Sequence, residues 1–220
     1  MKTDYLKYTD YEFDQEGCPY KVNTDTIALG VFLDPMYHKS VLDIGTNSGA
    51  LLLYAHQKGA GMLYGVDIHE DGLKAAERNL KRYTDSFCLY HCLLQDLEME
   101  KVDVIVCNPP FFEMNNVTPD PYLQEAMFES SLSLDELFGA IRKLMKDNGE
   151  AYLIYQADRF PAFYDLCKIY KLKIMKLRFV HDVHSRHALR FLAKLKIGPM
   201  SKLKIEAPLM VENGSFIEIR

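Results

Sequence analysis

"VLDIGTNSGALLLYA", Val41–Ala55, is the stretch that decides the fold. An apolar run ends in Asp43, a turn of small residues follows, and a second apolar run opens with helical spacing. Gly45 and Gly49 let the backbone turn tightly and let a ligand approach it. A strand that feeds a helix through such a turn sets the helix N-terminus at the strand's carboxyl edge, where open α/β sheets bind ligands. Two phosphate motifs are excluded. No Lys-Ser or Lys-Thr pair follows, as a Walker loop requires, and Asn47 stands where G-x-G-x-x-G has its second Gly. Taken alone, the stretch serves equally well as a ligand loop or as a plain connection.

The alternation continues on both sides. Strand-like runs at 40–45, 61–68, 86–92, 102–107 and 150–156 are interleaved with helical patterns at 49–59, 70–83, 133–149 and 158–170. Ser133 with Glu136 three residues on forms a capping box, and Asn148-Gly149 reads as that helix's C-terminal signal. Runs at 171–181 and 187–198 have no helix between them and predict an antiparallel hairpin. The fold class expected is α/β, an open and mostly parallel sheet with helices on both faces. Ahead of it, 22–35 reads as a helix capped at Asn23 or Thr24 and stopped by Pro35. Residues 111–132 read as a long loop, a common site of function in compact domains.

At 220 residues, 48% hydrophobic and 26% charged, the chain fits one domain. Its parts are an N-terminal extension (1–39), a core (40–156) and a C-terminal part (157–220). No apolar run is long enough for a membrane span, and "MKTDYLKYTDYEFDQ" has no signal-peptide core, so a cytoplasmic protein is expected. Five cysteines without a C-x-x-C pair point to buried free thiols and to no metal site. The net charge of −5 hides an asymmetry: residues 168–204 hold eleven Lys or Arg and one acid, Asp182. Such a basic segment in an acidic chain points to a polyanion, with nucleic acid preferred; Arg178, Arg186, Arg190 and Lys194 are the candidate phosphate contacts.

Further acids lie after the later strands. Asp67 ends the second strand, placed to accept hydrogen bonds from ribose hydroxyls or to cap the next helix. Asp96 comes after the third strand, placed to meet an adenine amino group or to cap a turn. The fourth strand runs into "NPPF", Asn108–Phe111. Prolines stop the strand and stiffen the segment beyond it.

Together these spacings resemble the class I S-adenosylmethionine-dependent methyltransferases. The resemblance implies a Rossmann-like sheet and S-adenosylmethionine as cofactor, with Asp43, Gly45, Asn47 and Gly49 under its methionine part. It implies Asp67 at the ribose, Asp96 at the adenine and Asn108 beside the methyl group. Asn47 departs from the more usual Gly, but Asn tolerates left-handed backbone. "NPPF" resembles the catalytic motif of enzymes that methylate planar nitrogens: adenine N6, guanine N2 or glutamine N5. Such a nitrogen shares its lone pair with a π-system. The Asn108 side-chain carbonyl and the Pro109 backbone carbonyl can accept its N–H groups and aim the lone pair, with Pro110 holding the turn. Phe111 can stack on a flat substrate, worth roughly 1–3 kcal/mol for a base.

The flanks narrow the resemblance. "KVNTD", Lys21–Asp25, is similar to an N-terminal element of bacterial tRNA adenine-N6 methyltransferases that modify a valine tRNA beside its anticodon. That likeness implies Lys21, Thr24 and Asp25 near the methionine end, and tRNA as partner. It runs from about Phe13 to the end of the chain. Met127 departs from it, standing where family members commonly carry Arg. The alternatives are a guanine-N2 ribosomal RNA enzyme, a release-factor glutamine-N5 enzyme, and a non-catalytic RNA-binding module of the same fold.

Overall fold

A computed structural model describes residues 4–109, 132–198 and 202–217. Along the chain, β1 (Asp4–Tyr5) and β2 (Glu12–Phe13) precede α1 (Thr24–Phe32). Then come β3 (Ser40–Ile44), α2 (Ala50–Gln57), β4 (Met62–Asp67), α3 (Glu70–Leu80), β5 (Phe87–His91) and β6 (Val102–Cys107). Next are α4 (Leu134–Leu144), β7 (Met145–Gln156), α5 (Phe160–Ile169), β8 (Leu172–Asp182) and β9 (Arg190–Ile197). The tail adds β10 (Lys204–Ile205), β11 (Leu209–Glu212) and β12 (Ser215–Ile217).

The sheet runs β12-β11-β8-β9-β7-β6-β3-β4-β5, with β10 pairing β8 off this path. From β5 to β7 all neighbours are parallel. β9 is antiparallel to both β7 and β8, so the expected hairpin is present and its second strand is wedged next to the parallel half. The central strands are buried on both faces, which is why they read as unbroken apolar runs. Alternation splits them cleanly. Val104 and Val106 join the core under α1 and α2, and Ile105 and Cys107 join the core under α4 and α5. Leu6 and Phe13 of the N-terminal extension sit in the first core, and Asn79 ties that extension to the sheet. Its amide donates to Asp14 O and Ser48 O while its carbonyl accepts from Asp14 N.

One helix is shorter than its sequence predicts. The capping box at Ser133 and Glu136 forms, but α4 ends at Leu144, and 145–149 belong to β7. Met145 is fully buried and pairs with Val102, with a register shift before Val104. That burial outweighs the helical propensity of 145–148. Gly149 is therefore no helix cap. A Cβ there would stand 2.4 Å from Met145 Cγ and 2.9 Å from Lys146 O, so glycine is required by a close approach inside the strand.

A second close approach fixes α1 against α2. A Cβ on Gly30 would lie 2.2–2.5 Å from the ring of Tyr54, a fully buried residue whose hydroxyl donates to Lys7 O at 2.6 Å. Ala would raise helix propensity by about 1 kcal/mol, but overpacking costs roughly 1–3 kcal/mol and here meets an anchored ring. We expect Gly30→Ala to lower the urea midpoint; an unchanged or higher midpoint would show that Tyr54 moves freely.

Candidate active site

The carboxyl ends of β3, β4 and β6 open onto a cavity of about 380 Å³. Its wall includes Tyr20–Asn23 and Thr26 before and within α1, Asp43–Ser48 of the first turn, Val66–His69, Cys92–Gln95, Cys107–Pro109 and Leu132. The fourth-strand motif and the first turn, about 60 residues apart in sequence, meet here because β3 and β6 are hydrogen-bonded neighbours, Ile44 opposite Cys107.

The turn is held by backbone bonds. Gly45 N and Thr46 N both donate to Val66 O, at 2.9 and 3.1 Å. Gly45 has φ +76 and open space where a Cβ would stand, so its glycine is needed for conformation. Gly49, φ +77, also lies where a Cβ would come 3.1 Å from Ala76 Cβ, bringing α2 and α3 together. Asn47 takes a left-handed φ of 44, as its residue type allows. Its backbone N donates to Asp67 Oδ2 at 2.7 Å and its side chain donates to Tyr20 O at 2.6 Å. Asp67 Oδ1 accepts from His69 N at 2.9 Å. This carboxylate therefore ties the first turn to the start of α3, and its remaining lone pairs stay available to a ligand.

Acceptors exceed donors in this wall. Both oxygens of Asp43, Asn47 Oδ1 and Asn108 Oδ1 are buried without a hydrogen-bond partner. Buried orphans cost about 1–3 kcal/mol each, so these four acceptors, with the Thr46 hydroxyl unpaired beside them, mark a place kept for a polar ligand carrying donors or positive charge. Burial pushes the Asp43 carboxyl up to about 7, and the charge of Asp67 adds to the shift. The Thr46 hydroxyl pulls the other way from nearby without meeting hydrogen-bond geometry. Burial, with Asp43 beside it, also raises the Cys107 thiol well above its usual value, so this cysteine is no thiolate nucleophile.

Lys21 lines the cavity, but Thr24, Asp25 and Asp96 stand elsewhere. Lys21 is exposed at the rim, its ammonium bonded to Gln15 O. Thr24 and Asp25 are off the cavity wall; Asp25 instead accepts from Arg190 Nε at 3.0 Å, which pins the start of α1 to the start of β9. Asp96 is exposed, and the wall at that level is made by Leu93, Leu94 and Gln95. Arg190 is thus engaged internally. So is Lys194, which bonds Asp34 Oδ2 and Glu150 Oε1, each at 2.9 Å, as part of a half-buried network with Lys176. Arg178 Nε donates to Ala207 O, holding the tail on β8. Of the four candidate phosphate contacts, Arg186 alone is exposed. The basic segment is partly an internal scaffold, because alternate residues of β8 and β9 face the N-terminal acids. Pro110, Phe111 and Met127 lie outside the described residues.

Residues not singled out from sequence complete the wall. Asn108 Nδ2 donates to Thr26 Oγ1 at 3.1 Å, and Thr26 sits in the first turn of α1. The sequence holds a signal for α1 and its cap, Asn23, but none for which residue of that turn faces Asn108. Among the described residues, no group of three His, Cys, Asp or Glu side chains is placed to hold a metal ion, and no helix is long and apolar enough to cross a membrane.

A mostly parallel sheet with antiparallel C-terminal strands, and a cavity at the carboxyl ends of β3, β4 and β6 with Asp43 and Asp67 in its wall, define a class I S-adenosylmethionine-dependent methyltransferase. The acceptor-rich wall fits that cofactor, which carries a sulfonium, an ammonium and ribose hydroxyls. The solved ribosomal protein L11 methylase of Lactobacillus delbrueckii subsp. bulgaricus overlays with a TM-score of 0.60 at 20% identity, over 83% of this chain and 82% of its own. The family model described as ribosomal protein L11 methyltransferase matches residues 31–114. A Christiangramia forsetii protein named tRNA1(Val) (adenine(37)-N6)-methyltransferase is 30% identical over 70% of this chain and 68% of its own. A Parabacteroides distasonis protein of the same name is 26% identical over 93% and 88%. The chain belongs to the family that carries this name.

Proposed function

We propose that this methyltransferase acts on the N6 amino nitrogen of an adenine in tRNA, beside the anticodon of a valine tRNA. The observation that carries the reading is Asn108 at the cavity wall, with its carbonyl oxygen unpaired and its amide group already bonded. An exocyclic amino group brings N–H donors, and the Asn108 oxygen is an acceptor waiting for one. Accepting that bond withdraws the nitrogen lone pair from the ring and turns it toward the donor site. The bound cofactor supplies an activated methyl group. Asp43 offers it a carboxylate, Asp67 offers lone pairs, and Ile68 and Leu94 offer apolar surface. No strong base is needed, because the methylated nitrogen is left with an acidic proton.

The partner is supported by placement as well as by the names of relatives. Gln156 pairs with Arg190, and Arg190 with Val180, so the β8–β9 connection lies at the same edge of the sheet as the cavity. That connection exposes His184, Arg186 and His187. The Arg186 cation and imidazole groups beside the pocket suit the phosphates that flank a target base turned out of its stack.

The test is product identity. The protein is incubated with labelled S-adenosylmethionine and separate pools of tRNA, ribosomal RNA and release factor, and the products are digested. N6-methyladenosine from the tRNA pool is the expected product. N2-methylguanosine or methylglutamine would replace the reading, and cofactor binding without transfer would leave a binding module.

A further inference from the structure

We infer that Thr26 is a positioning residue, which sets the Asn108 amide in one of its two orientations through a relay that begins at the cap of α1. Each link fixes the donor and acceptor roles of the next. The backbone N–H of Thr26 can only donate, and it lies 2.9 Å from the Asn23 side chain, so the atom facing it is the oxygen, Oδ1. The Thr26 hydroxyl is 3.1 Å from that same oxygen and gives it its proton. With its proton committed, Thr26 Oγ1 offers only lone pairs to Asn108 at 3.1 Å. The Asn108 atom facing it is therefore the NH2 group, and Oδ1 is left as the unpaired acceptor at the cavity wall. A flipped Asn108 would set two acceptors against each other at Thr26 and offer the substrate nitrogen a donor instead of an acceptor. The N-cap of a helix in the N-terminal extension thereby decides the polarity of a side chain after β6; Thr26 and Asn108 are 82 residues apart in sequence. The Asp25–Arg190 pair holds the same helix turn in place against β9.

The inference rests on the proposed role of Asn108, and two readouts keep them apart. Thr26→Val removes the hydroxyl at nearly constant shape, and Thr26→Ser keeps it. Without the hydroxyl, two amide orientations compete. We expect Thr26→Val to lower the single-turnover rate on tRNA about tenfold or more, the scale of one lost orienting bond. S-adenosylhomocysteine affinity and melting temperature should stay near wild type, and Thr26→Ser should recover most of the rate. Independently of activity, the Asn108 side-chain NH2 should exchange slowly with solvent in nitrogen-15 spectra of the free protein and quickly in Thr26→Val. Slow exchange retained in Thr26→Val overturns the relay whatever the substrate proves to be. So does a Thr26→Val rate equal to wild type, or an equal loss in Thr26→Val and Thr26→Ser. Wild-type protein that shows the exchange difference yet transfers no methyl to tRNA keeps the relay and rejects the substrate.

Discussion

Asn108→Ala is expected to reduce methyl transfer by about a thousandfold, the upper scale for loss of one preorganised polar group at a reacting centre. Cofactor affinity should stay within about twofold, a difference of ~0.4 kcal/mol. The asymmetry comes from where the bonds lie. Asn108 reaches the cavity from β6, and its side-chain hydrogen bond among the described residues goes to Thr26. The polar groups suited to the cofactor come from β3, β4 and the turn between them, and none of them bonds Asn108. Removing the side chain therefore deletes the acceptor for the target nitrogen and leaves the first turn intact. Loss of one bond also leaves a rigid backbone behind, because the Cys107–Pro109 segment is anchored by β6. Single-turnover transfer and calorimetry with S-adenosylhomocysteine measure the two quantities. Turnover near wild type would remove Asn108 from the chemistry, and a parallel collapse of affinity would make it a cofactor residue instead.

The parts legible in the sequence were those set by local pattern. Strands β3 to β6 are apolar runs punctuated by glycine and acid, so their order, the first turn and the motif after β6 could be read directly. The pairs that join distant segments could not. Nothing in "KVNTDT" says that Asp25 faces Arg190 while Thr26 faces Asn108; that depends on the azimuth of α1 on the sheet, which is set by Gly30 against Tyr54. Lys194 reads from sequence as a candidate phosphate contact and Lys176 carries no signal of its own, because lysine is rarely buried. Here they are satisfied by Asp34 and Glu150, contacts visible only once β8 and β9 are paired. Burial works against the Asp34 carboxylate, but its bonds to these two lysines prevail and hold it at about 2. The tail strands β10 to β12 span two to four residues each, too short for periodicity to show.

The ligand-free protein should lose stability as pH rises from about 4 to about 7, and Asp43→Asn should remove most of that loss. Asp43 is almost fully enclosed at the end of β3, with neither oxygen paired, and its carboxyl titrates at about 7 in the folded chain. In the unfolded chain it titrates near the usual value of about 3.9. Between those values the folded state holds a proton that the unfolded state has released. The slope of unfolding free energy against pH is then negative. The stability is fully present below about pH 4 and is lost as pH passes through about 7. The ceiling is about 4 kcal/mol, from roughly three pH units at about 1.4 kcal/mol each. Burial lowers the His56 value, which works in the opposite direction below about pH 6.5, so the difference between wild type and Asp43→Asn isolates the carboxyl. Urea midpoints at about pH 4.5, 5.5 and 7 measure it. Cofactor binding should show the mirror image. A cationic ligand favours the ionised carboxylate, so S-adenosylmethionine affinity should rise with pH through about 7 in wild type and stay flat in Asp43→Asn. Identical pH slopes in the two proteins would mean that Asp43 stays ionised throughout, and that some partner neutralises its charge even without ligand.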